Sequence, residues 1–138
     1  MEWVLDSSLA LAWALPDENQ GRADRFLAKF TPQDALWVPG LWWHEIANAL
    51  TMAERRNRIA EADIFRLLEL YNHLPIQTDT SYSSALSWRY FILAREYGLT
   101  AYDGSYLELA ERKGLPLASF DERLIKAARK AGLRTIHN

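Results

Sequence analysis

The chain contains no cysteine, which excludes disulfides, thiolate zinc sites and a cysteine nucleophile. It also lacks any run near the roughly 18 uncharged apolar residues that a membrane span needs, so a soluble protein with no membrane partner is expected. No glycine-rich phosphate loop and no G-x-S-x-G elbow occurs. The histidines, His44, His73 and His137, have no metal-ligand spacing, which argues against zinc. The start, MEWVLD, carries an acid at position 2 and no basic region ahead of a long apolar stretch, so no secretion signal is expected and the cytoplasm is the simplest location. Internal repeats, low-complexity tracts and linker-like Pro/Gly/Ser stretches are missing too, and the 138 residues are expected to form one domain over 1–138. Positive charge is not in excess. The formal net charge is -2, so no global field draws the molecule onto nucleic acid, and a polyanion would have to be held by local patches or by metal.

What is present is an alternation of short apolar runs with helical patterns, in a chain of 49% hydrophobic and 25% charged residues, a globular composition. Strands are expected at 2–5 (EWVL), 35–39 (ALWVP), 75–78 (PIQT), 115–119 (LPLAS) and 133–136 (LRTI). Helical patterns fill 8–15, 18–30, 40–56, 60–74, 83–98, a segment ended by Gly114, and 121–132. Ile64, Leu67, Leu68 and Tyr71 fall on one face, as do Tyr102, Tyr106, Leu109 and Ala110, and Leu124, Ala127, Ala128 and Ala131. Asp79, Thr80 and Ser81 offer caps for the helix that Gly98 terminates. Five short strands separated by helices imply a single-domain α/β sandwich, mainly parallel, with helices on both faces. In such sheets the loops at the carboxyl ends of the strands converge.

Two of these loops begin alike. WVLDSS ends an apolar run on Asp6, and PLASFDE ends another on Asp121. Capping accounts for either aspartate alone, because Asp is favoured at helix N-caps and complements the helix dipole. Thr100 with Asp103, and Ser119 with Glu122, have the spacing of capping boxes. Glu45 is different: it lies more than a turn inside its helix, among Ile46, Ala49 and Leu50, where a lone carboxylate is costly to enclose. If Asp6, Glu45, Asp103 and Asp121 converge, two ionised groups about 6 Å apart repel by about 3 kcal/mol at an effective dielectric near 20. No lysine or arginine stands at these junctions to relieve that repulsion, and an all-oxygen donor set suits Mg²⁺ or Mn²⁺. An ion so held can acidify a water and neutralise charge on a phosphodiester, which makes metal-assisted phosphodiester hydrolysis the expected reaction class. Ser8 and Ser119 can orient a water beside the acids, or simply cap helices.

The segments WVLDSSLALAWALPDE, VPGLWWHEIANAL and GLTAYDGSYLELAERKGLPLASFDERLIKAARKAG resemble the PIN-domain family, in particular its VapC-type toxin ribonucleases. The similarity runs in order over nearly the whole chain and is specific in combination: a strand ending on Asp, E-x-x-N-A-L, Y-D-x-x-Y-L-x-L-A, and L-P-L-A-S-x-D. The resemblance implies a PIN-like three-layer α/β/α sandwich and an endoribonuclease that uses Mg²⁺ or Mn²⁺ to cut RNA. It implies metal-binding and catalytic acids at Asp6, Glu45, Asp103 and Asp121, with Ser8, Asn48 and Ser119 in support. It implies a homodimer and a cognate antitoxin protein as partners. Gly104 stands where the family usually has alanine, which should loosen that helix by up to about 1 kcal/mol.

Of the six tryptophans, Trp42 and Trp43 are adjacent on a helix and cannot point the same way, so one is a candidate for a partner surface. The run at 54–58 (ERRNR) and the group Lys126, Arg129, Lys130 and Arg134 read as solvated faces, or as phosphate contacts if the substrate is RNA. Two rival readings stand beside the nuclease. A receiver-type phosphoacceptor would need Asp79 as its phosphorylated residue, and a PIN-like scaffold would bind partners without cutting.

Overall fold

The structure, a computed structural model, describes residues 1–17 and 19–136. Glu18, with which the second helical pattern begins, and His137 lie outside the described residues. Strands β1 (Glu2–Leu5), β2 (Ala35–Pro39), β3 (Ile76–Asp79) and β4 (Leu117–Ala118) form one sheet in the order β3-β2-β1-β4. All pairings are parallel, with Val4 opposite Trp37 on one side and Leu117 on the other. A parallel strand covered on both faces needs apolar residues on both. Val4, Leu5, Leu36, Val38, Leu117 and Ala118 are accordingly all buried.

The expected fifth strand at 133–136 shrinks to an isolated parallel bridge between Leu117 and Thr135, with the Leu117 N–H donating to the Arg134 carbonyl at 2.9 Å. Its partner β4 is only two residues long, so there is little edge to extend. The helices are α1 (Ser7–Ala14), α2 (Gln20–Leu27), α3 (Leu41–Arg55), α4 (Glu61–Asn72), α5 (Ser84–Tyr97), α6 (Ala101–Lys113) and α7 (Glu122–Lys130). They cover the sheet as an α/β/α sandwich, with α3 packed on β2 from one side of the chain's path and α6 lying across β1 and β2.

Local chemistry sets the helix ends. The α5 cap is Ser83, whose hydroxyl accepts from the Leu86 N–H, rather than Asp79, Thr80 or Ser81. Asp79 is the last residue of β3 and is engaged elsewhere, by Arg112 at 2.7 Å. Gly98 and Gly114 close α5 and α6 in the left-handed region, at φ 65 and 66, where a Cβ is unfavourable. Gly104 has a packing role. A Cβ there would lie 3.1 Å from the Tyr90 carbonyl oxygen, so its absence lets α5 and α6 approach.

Most inward faces are as the periodicity implies: Leu67, Tyr71, Tyr106, Leu109, Ala110, Leu124, Ala127 and Ala128 are buried. Tyr71 also donates from its hydroxyl to the Ala10 carbonyl at 2.9 Å. Tyr102 departs from its expected inner face and is 64% exposed, because the first turn of α6 stands at the rim of the sheet. Leu68 is likewise exposed on α4. Trp42 is fully buried and Trp43 half-buried, its indole donating to Thr78 Oγ1 at 2.9 Å. The exposed tryptophan is Trp88 on α5, stacked on Phe91. Among the described residues no helix is long and apolar enough to cross a membrane.

Candidate active site

Asp6 leaves the carboxyl end of β1 with its N–H donated to the Ala118 carbonyl of β4 at 2.9 Å, so strand pairing sets its place. It is the N-cap residue of α1, yet its side chain makes no capping bond. The carboxylate turns across to the β4 loop, where Ser8 Oγ and Ser119 Oγ both donate to Oδ2, at 2.6 and 2.7 Å. Ser8 Oγ in turn accepts from the Phe120 N–H, and Ser119 Oγ from the Asp121 N–H. The two serines therefore stitch two strand-end loops together around one acid. Ser119 is not a helix cap, and the expected box with Glu122 does not form: Asp121 caps α7, accepting from the Arg123 and Leu124 N–H groups through Oδ1.

Glu45 projects from the second turn of α3. Its Oε1 accepts from the Tyr106 hydroxyl at 2.5 Å and from Ser7 Oγ at 3.3 Å. Burial pushes the Tyr106 phenol far above its ordinary range, and the charges of Asp6 and Glu45 push it further; it stays a donor. Asp103 lies in the first turn of α6, its N–H held by the Thr100 hydroxyl at 3.1 Å.

The four acids share one electrostatic environment. Asp6 is 4% exposed, and its carboxyl is raised to about 6, chiefly by burial; the serine bonds oppose this, and the charges of Glu45 and Asp103 add to it. Asp103 is also raised, first by burial and then by Asp121 and Glu45. Arg123, two residues after Asp121 at the start of α7, partly offsets this for Asp103, which corrects the expectation that no arginine stands at these junctions. His44 is exposed on α3 and not a partner of Glu45; its ring meets the Gly40 carbonyl. Asn48 stands exposed one turn beyond Glu45 and makes no hydrogen bond to these acids.

A common device holds the carboxylates. Asp6 through Oδ2, Glu45 through Oε1 and Asp121 through Oδ1 each give one oxygen to the protein, which leaves the second oxygen as a donor site. Among the described residues no three such groups converge closely enough to chelate an ion by themselves. Mg²⁺ does not require that: it keeps several waters and uses one or two carboxylates directly. The donor set fits a hard, partly hydrated dication and does not fit zinc.

Ser7 and Tyr106 escaped the sequence reading as site residues. Tyr106 looks like core because it is core, and its one signal is a phenol a turn after Asp103, on the face that meets Glu45. Asp79, which a receiver would phosphorylate, is bound to Arg112 and lies on the edge strand. The order β3-β2-β1-β4 also differs from the 2-1-3-4-5 order of a receiver.

Comparison with known proteins agrees with this fold. The family model described as the PIN domain matches residues 3–130. Ribonuclease VapC3 of Pyrobaculum aerophilum is 31% identical over 125 residues, which are 90% of this chain and 92% of that one. The crystal structure of PAE2754, from the same organism, superposes with a TM-score of 0.71 at 26% identity, covering 98% of this chain and 89% of that one. VapC20 of Mycobacterium tuberculosis, a sarcin-ricin loop cleaving toxin, matches at a TM-score of 0.68 and 16% identity over the full length of both chains, a likeness of fold.

Proposed function

The chain belongs to the PIN-domain family, and from that premise we propose that it is an endoribonuclease dependent on Mg²⁺ or Mn²⁺, acting as the toxin of a toxin-antitoxin pair. The observation that carries this reading is the set of carboxylates on one rim, with Asp6, Glu45 and Asp121 each pinned by one oxygen and the other left over. Asp6, Glu45, Asp103 and Asp121 would hold the ion, directly or through water. When bound, a divalent ion supplies Lewis acidity toward water and neutralises charge on the phosphodiester.

The remaining work falls to this chain's own groups. Ser8 and Ser119 hold Asp6 in one rotamer, and Tyr106 and Ser7 hold Glu45. Such partners keep ligands oriented without reorganisation during reaction. Arg22, Lys126 and Arg129 border a cavity beside Asp121, with Phe120 and Glu122 between. They supply the local positive patch that a molecule of net charge -2 needs to hold a phosphate backbone. An antitoxin and a second copy of the chain are the protein partners this reading calls for.

The test is degradation of RNA by purified protein with Mg²⁺, with EDTA, and with Asp6→Asn. Cleavage confined to the first condition supports the proposal. Equal cleavage in all three assigns the activity to a contaminant and removes it.

A further inference from the structure

The rim at the carboxyl ends of the strands carries three chemistries in the order of the sheet. Next to β4 lies the cavity of about 470 Å³ bordered by Arg22, Lys126 and Arg129. The acids stand over β1. Past them, at the ends of β2 and β3, a second cleft of about 200 Å³ is lined by Pro39, Gly40, Asp79, Tyr82, Tyr90 and Tyr102 among others. Tyr102 is the immediate neighbour of Asp103 in α6, and Gly40 leads into the helix that carries Glu45. A strand laid across the acids from the basic cavity would run into this aromatic cleft.

We propose that the cleft receives one unstacked nucleobase of the RNA being cut, beside the scissile phosphate, and that Tyr82 and Tyr102 select the nucleotide at that position. The inference rests on the ribonuclease reading and deepens it.

Four features favour a base over other occupants. Tyr82 and Tyr102 are 72% and 64% exposed, so two large rings stand in solvent around an open cleft, while the half-buried Tyr90 closes it from α5. Aromatic faces of this kind stack single-stranded bases. Among the described residues no cation lines the cleft, and its carboxylate, Asp79, is already bound to Arg112; a phosphate is disfavoured there. A volume of about 200 Å³ is below the range of sites for drug-sized ligands and suits one planar ring. Finally, Tyr82 stands at the mouth of the cleft. Its hydroxyl lies against Gly40, where a Cβ would come within 1.7 Å of it.

The experiment walks a single abasic position along a cleavable single-stranded RNA, with Mg²⁺, using wild type, Tyr82→Ala, Tyr82→Phe and Gly40→Ala. In wild type one register should lower kcat/KM by between about 5-fold and about 150-fold, the range that base–aromatic stacking produces. In Tyr82→Ala intact RNA should already show that loss, and the abasic penalty at that register should vanish. Tyr82→Phe should restore both, and Gly40→Ala, which makes the ring shift without removing it, should lose less than Tyr82→Ala. Equal melting temperatures establish that the variants are folded. An abasic profile identical in wild type and Tyr82→Ala overturns the subsite and leaves the ribonuclease reading standing. Failure of the wild type to cut intact RNA overturns the parent reading and this inference with it.

Discussion

Asp6→Asn should destroy cleavage and, in the absence of metal, stabilise the fold. The Asp6 carboxyl moves from 3.8 to about 6 on folding, chiefly because it is buried. Two units correspond to about 3 kcal/mol of differential interaction, at about 1.4 kcal/mol per unit. The folded pKa is the raised one, so the folded state binds the proton more tightly. The associated stability is fully present below the unfolded value near 3.8 and is lost as pH rises through about 6, leaving the ionised protein penalised above that. Asparagine is neutral at every pH and escapes the penalty. It also accepts the hydroxyls of Ser8 and Ser119 less strongly than a carboxylate, at a cost of about 1 kcal/mol. The expected net gain is about 1–2 kcal/mol at pH 8, or roughly 3–8 °C in melting temperature for a chain of this size, fading to none or a small loss near pH 4. Urea and thermal unfolding in EDTA across that range measure it. A variant less stable than wild type at pH 8, or a difference with no pH dependence, refutes the placement of Asp6 as a buried, charge-strained acid.

Tyr106→Phe removes the 2.5 Å bond to Glu45 while keeping the buried ring. The Mg²⁺ concentration for half-maximal cleavage should rise by about 10- to 100-fold, and an unchanged metal requirement would show that Glu45 needs no support. Lys126→Ala should weaken RNA binding alike for all sequences and lower the slope of log affinity against log salt by about 1, read by anisotropy titrations at several salt concentrations. Arg112→Met strips the partner from Glu108, which is 4% exposed and held at 2.6 Å. Since Arg112 is itself 36% exposed, the loss should be about 2 kcal/mol by urea unfolding, less than for a fully buried pair. Adding Glu108→Gln should recover part of it, and no recovery would place the damage elsewhere.

Much of the fold was legible because its signals are local. Apolar runs such as VLD and PLAS, the glycine stops at 98 and 114, and the apolar faces of α4, α6 and α7 are properties of a few adjacent residues. What local pattern does not carry is the partner. PIQT and LRTI look equally like strands, yet the first, shifted by one residue to Ile76–Asp79, pairs with β2 over four positions, and the second meets a two-residue β4 and forms one bridge. Tyr102 fits the inner face of its helix by periodicity and is exposed because the sheet ends beneath it.

The sharper contrast lies between Asp6 and Asp121, which read identically as strand-end acids ahead of helices. Asp121 caps its helix with two backbone bonds, and a free N-terminal turn offers an aspartate that stable arrangement. Asp6 makes no capping bond; its Oδ2 is taken by Ser8 of its own loop and, from beyond the neighbouring strand, by Ser119. That partner is far away in sequence, so capping propensity, a nearest-neighbour property, assigns the same state to both residues. A capping bond places a carboxylate at the positive end of a helix and relieves its charge. Two neutral hydroxyls hold Asp6 in position, and with burial as the largest influence its carboxyl still ends raised, at about 6. Of the two aspartates, the one that fails to cap is therefore the one whose charge burial leaves strained.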